Sequence, residues 1–98
     1  MDKKKVIEDI NTSYVVLEEM DAFIQNNEIF PNELVEIGKI GIKKLKKHNV
    51  DDYDLRRIID DTIEILKLQL EINEDNIKER DNLWKQHKRN SYPIGNHD

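Results

Sequence analysis

Apolar residues return at three- and four-residue steps along three stretches of this chain, the spacing of one face of an α-helix. From Lys3 to Gln25 the line is Ile7, Ile10, Tyr14, Leu17 and Ile24, widened by Val6, Met20 and Phe23. Asp2 stands where a cap is needed, and Asn26-Asn27 suit the left-handed turn that ends a helix. Pro31 opens a second helical stretch to Lys47, in a first turn where its missing N–H costs nothing. Its apolar line is Leu34, Ile37, Ile40 or Gly41, and Leu45. Gly38 and Gly41 each disfavour helix by up to ~1 kcal/mol relative to Ala, so they mark either a close helix–helix approach or a bend.

The third stretch, Asp51 to Arg89, has neither Gly nor Pro. Asp51 or Asp52 caps it. Three rows repeat every seven residues: Ile58, Ile65 and Ile72; Ile59 and Leu66; Ile63, Leu70, Ile77 and Trp84. Two rows end by Ile72, and only Ile77, Leu83 and Trp84 continue. This predicts a packed inner half and a sparsely apolar outer half, with Asn73-Glu74-Asp75-Asn76 as a possible break between them. At 1.5 Å per residue this helix would be roughly 58 Å long against roughly 35 Å for the first, so it overhangs its neighbours unless it breaks. Trp84 lies on a core row, which predicts that it closes the bundle end against Tyr14 or Phe30; the alternative is an exposed anchor for a partner.

The expected fold is all-α: a three-helix bundle of antiparallel helices with a long C-terminal helix. Residues 1–90 form one helical domain, and 91–98, with Pro93 and Gly95, a flexible tail. There is no hairpin signal and no internal repeat.

Composition limits the core. Hydrophobic residues make up 37% of the 98 and charged residues 38%, so the apolar interior must be thin and association would help it. A homodimer is expected on that ground, and on the overhang of the third helix. The absence of cysteine removes disulfides, thiolate chemistry and Cys-based metal sites. No stretch approaches the ~20 apolar residues of a membrane span, and Glu8 and Asp9 interrupt any signal-like run after the lysines at the start. A cytoplasmic protein is expected. Fourteen Ile, 12 Lys and 10 Asn against one Ala are the usage of an AT-rich genome, such as that of a low-GC bacterium or its phages and mobile elements.

The net charge of −5 is uneven. Residues 51–75 hold nine acids and three bases, whereas 76–98 hold three acids and five bases. The sign therefore changes close to where the apolar stripe narrows, and an acidic surface of this kind can steer a basic partner.

Candidate chemistry is sparse. Glu33 with Glu36, and Asp61 with Glu64 beside Asp60, are three apart on successive helices, as oxygen ligands for Mg²⁺ would be. Such pairs resemble those of all-α nucleotide pyrophosphohydrolases, although Asp61 and Glu64 reverse that family's Glu-x-x-Asp order. The resemblance covers only these residues and implies Mg-dependent hydrolysis of nucleoside triphosphates. Lys39, Lys43, Lys46 and Lys47 share a helix face that could meet phosphates. The second helix, a turn and the third helix mimic a helix-turn-helix, but the presumed reading helix starts with acids, which repel DNA. Lys85, Lys88 and Arg89 with Trp84 and Tyr92 could add stacking to a single strand. His48, His87 and His97 lack ligand spacing and are expected at the surface. Neither a catalytic triad nor a phosphate loop can be assembled, and no cofactor is implied.

The function most consistent with these features is non-catalytic protein–protein interaction by a small regulator, inhibitor or immunity-type factor. In size and acidic helical character the chain is similar to bacteriocin immunity proteins, though no motif carries the likeness. The expected contact strip is Ile77, Arg80, Leu83, Trp84, Lys85 and Lys88. A nucleic-acid-binding regulator and the Mg-dependent enzyme are the alternatives.

Overall fold

The computed structural model describes the backbone of residues 2–96 and the side chains of residues 2–86. It is all-α: α1 (Lys3–Gln25), α2 (Asn32–Lys46) and α3 (Tyr53–Asn96) form a three-helix bundle, with no strand among the described residues. No helix among those residues is long and apolar enough to cross a membrane.

The helix ends follow from their caps. Asp2 Oδ1 accepts from the Lys5 N–H at 3.3 Å, and Asp52 Oδ1 does the same for Leu55 at 3.2 Å. Asn27 adopts φ 59° just after α1, a left-handed geometry that Asn tolerates better than most residues. Pro31 lies one position before α2 rather than in its first turn, and its carbonyl accepts from Leu34 and Val35. α3 runs to Asn96, past the predicted end at Arg89 and into the stretch 91–98 expected as a tail, whose side chains lie outside the described residues.

The core is made by Val6, Ile10, Val16 and Met20 from α1, Leu34 and Leu45 from α2, and Ile59, Ile63 and Leu66 from α3, with Phe30 and Val50 from the connections. Each helix presents a face turned somewhat from the one its largest apolar residues suggest. Ser13, Gly38 and Thr62 are buried, whereas Ile7, Tyr14, Ile37, Ile40, Ile58 and Ile65 are exposed. The cause is close approach: small residues at the contact let the backbones draw together, and the larger neighbours are left on the rims. A Cβ on Gly38 would stand 2.6 Å from Met20 Cε, and one on Gly41 would stand 3.4 Å from Ser13 Oγ. The glycine pair thus marks an approach, and no bend is needed to explain it. Ser13 and Thr62 satisfy their hydroxyls locally, donating to the carbonyls of Asp9 and Ile58.

Two polar contacts tie the bundle ends. At one end His48, just after α2, meets Asp9 of α1 at 2.7 Å, and both side chains are largely buried. The expectation of a surface His48 is therefore corrected: the histidine is the buried partner of an acid that the core could not otherwise hold. At the other end Asn73, 3% exposed, accepts from the Phe30 N–H at 2.9 Å. Asn73 is no helix break. It lies within a continuous α3 and holds the α1–α2 loop against it.

Two stability outcomes follow. Asn73→Leu should cost about 1–3 kcal/mol by leaving the Phe30 N–H buried without an acceptor, whereas Asn73→Asp, which keeps the acceptor, should recover part of that loss; urea unfolding compares them. Gly41→Ala should raise stability by up to about 1 kcal/mol, since its Cβ finds near-ordinary contact and the helix gains propensity. A lower unfolding midpoint for Gly41→Ala would show that α1 and α2 pack more tightly there than described.

Candidate functional site

The sequence-predicted contact residues lie on the part of α3 that runs past the bundle. α1 ends at Gln25, and the loop after it is pinned to α3 at Asn73. Beyond that level neither α1 nor α2 has residues left to cover α3. Ile77, Leu83 and Trp84 are accordingly 45%, 57% and 62% exposed. The prediction that Trp84 closes the core is overturned by this geometry: Tyr14 lies within α1 and Phe30 is held level with Asn73, while Trp84 stands three turns further out.

Arg80 marks the border. Its Nη2 donates to the carbonyl of Asn27 in the α1–α2 loop, so the outer half leaves the bundle at a fixed point. Asn27, Asn76, Glu79, Arg80 and Leu83 line a small cleft there, of about 110 Å³. Lys85 pairs with Asp81 one turn before it at 3.3 Å, an exposed contact that orders the side chain but adds little stability. Lys88 lies outside the residues whose side chains are described.

A second recess lies between α1 and α2. It measures about 190 Å³ and is walled by Val16, Ile37, Ile40 and Leu66, with Asp9 and Lys44 among the lining residues. Sequence periodicity put Ile37 and Ile40 in the core; they form this recess because Gly38 and Gly41 take the contact positions.

The acidic pairs do not come together. Gly38 packs toward Leu70 and Gly41 toward Leu66, while Glu64 shares a recess with Leu45 and Lys46 at the far end of α2. The helices therefore run antiparallel. Glu33 and Glu36, near the start of α2, are separated from Asp61 and Glu64 by two or more helical turns, roughly 12 Å or more. Glu64 and Asp60 instead face Lys46, Arg56 and Lys67. Among the described residues no group of three or more His, Asp or Glu could hold a metal ion.

The same antiparallel packing departs from a helix-turn-helix, whose two helices meet at about 90–120°. Lys39 is engaged by Glu36 at 3.9 Å, both being exposed.

No family model, curated protein or solved structure matches the chain.

Sequence reasoning missed Asp9–His48 and Asn73–Phe30, the two polar contacts that define the bundle ends. Neither has a spacing signal, since the partners lie 39 and 43 residues apart. The exposure of Trp84 predicts a red-shifted emission that acrylamide quenches readily in dilute protein. A blue, protected emission under those conditions would place the indole in a core.

Proposed function

We infer that the protein is a small non-catalytic interaction factor, acting in the cytoplasm as a regulator, inhibitor or immunity-type protein. The outer half of α3 is its contact element. The observation that carries this reading is three large apolar side chains exposed on a helix that leaves the bundle. An isolated exposed apolar residue is ordinary, but Ile77 and Trp84 continue a core row at seven-residue spacing, which is how a helix prepares for another helix. Tryptophan and arginine are the residues most often found to dominate binding energy, and Arg80 and Trp84 stand one turn apart. Lys78, Arg80 and Lys85 give this element a basic character, in contrast to the acidic 51–75. Its partner is a protein surface with an apolar groove and acidic margins.

Replacing Ile77 and Trp84 together by Ala tests the assignment. Both side chains are exposed, so in dilute, unassociated protein the melting temperature should hold within about a few degrees, as for surface substitutions generally. The variant should lose the association shown by the wild-type chain, whether seen as native mass or as co-purification of a partner. If neither changes, the contact strip lies elsewhere.

A further inference from the structure

A second exposed apolar surface runs along the groove between α1 and α3. Gln69 Nε2 donates to Asp21 Oδ1 at 2.9 Å, which fixes how the two helices lie side by side. With that register, helical spacing places Ile7 and Tyr14 of α1, seven residues apart, along one rim. Ile58, Ile65 and Leu68 of α3 lie along the other. All five are exposed, at 39–54%. Two parallel rows at seven-residue spacing form the seat of a further helix. The seat is acidic: Asp21 lies on it, and Asp54 and Asp61 flank the α3 row.

The helix that fits this seat is in the same chain. The outer half of α3 carries an exposed apolar strip, Ile77, Leu83 and Trp84, and the opposite charge, from Lys78, Arg80 and Lys85, with Lys88 and Arg89 following in the sequence. Past Asn73, α3 continues for about as many residues as α1 contains, so the projection matches the groove in length. A straight α3 cannot fold back onto its own bundle, but a second copy placed antiparallel can supply the projection.

We propose that two copies associate about a twofold axis near the middle of α3, each lending its basic outer half as the fourth helix of the other's bundle. The axis makes each seat occur twice. Antiparallel pairing also sets the basic outer half of one α3 against the acidic inner half of the other, whereas parallel pairing would set like charge on like. This rests on the outer half being the contact element and names its partner as a second copy.

The test combines native mass with directed cross-linking. At high protein concentration the wild-type chain should have about twice its 11.7 kDa mass, and salt should promote dissociation. Trp84→Glu in the projection and Ile65→Glu in the seat should each weaken the dimer about tenfold or more, with helical circular dichroism retained. The chain has no cysteine, so Leu68→Cys and Leu83→Cys chains can be mixed and treated with a short bis-maleimide. They should cross-link to each other in preference to themselves. A monomer at every concentration overturns the proposal and leaves the contact strip to be judged by the Ile77 and Trp84 variant. A dimer that ignores Ile65→Glu, or that links Leu83→Cys chains chiefly to themselves, overturns it in favour of pairing between the projections alone.

Discussion

One buried carboxamide decides where this bundle stops. Asn73 sits in the middle of α3, where its side chain accepts the hydrogen bond of the Phe30 backbone. That N–H comes immediately before Pro31, at the point where the chain turns from α1 into α2, and inside a protein it must have an acceptor. With it satisfied, Phe30 can bury its ring edge-on against Phe23, 6.2 Å between centroids, and close the apolar interior at that level. Beyond Asn73 the core ends, and past the Arg80–Asn27 contact the described side chains of α3 are exposed. The same residue that would weaken an isolated helix here joins α3 to the α1–α2 connection.

Asp9 and His48 perform the matching task at the other end. An acid as buried as Asp9 would be costly alone, and Lys5 reaches it only at 3.8 Å. The histidine arrives from the α2–α3 connection and supplies a close partner. Between these two ties the core is a short column of aliphatic side chains, drawn close by Gly38, Gly41 and Ser13. A chain with as many charged as apolar residues has little else to pack, so closeness takes the place of volume.

The three helices were legible because their periodicity and caps agree. Asp2, Asn26-Asn27 and Asp52 mark boundaries that the backbone then keeps to within a residue or two. The faces were less legible. Counting large apolar residues put Ile7, Tyr14, Ile37 and Ile40 inward, because apolar count cannot reveal that small residues hold the contact positions. The overhang of α3 was legible for a different reason. Helix lengths alone show that α3 outlasts its neighbours, and the thinning of its rows after Ile72 agrees. The fate of Trp84 was misjudged because a seven-residue row was extended past the point where neighbours end. His48 looked like a surface residue and Asn73 like a break because their roles depend on partners about 40 positions away.

The continuity of α3 has a kinetic side. Starting a helix is the expensive step, since several residues must be fixed before the first hydrogen bonds reward them, whereas extending one is nearly neutral. In α3 the packed inner half supplies the nucleus. Residues 74–86, rich in charge and with exposed apolar side chains, need only propagate a ladder that the core has already begun. The outer half thus inherits its helical form from the bundle, so binding to it would carry little of the cost of ordering a free segment.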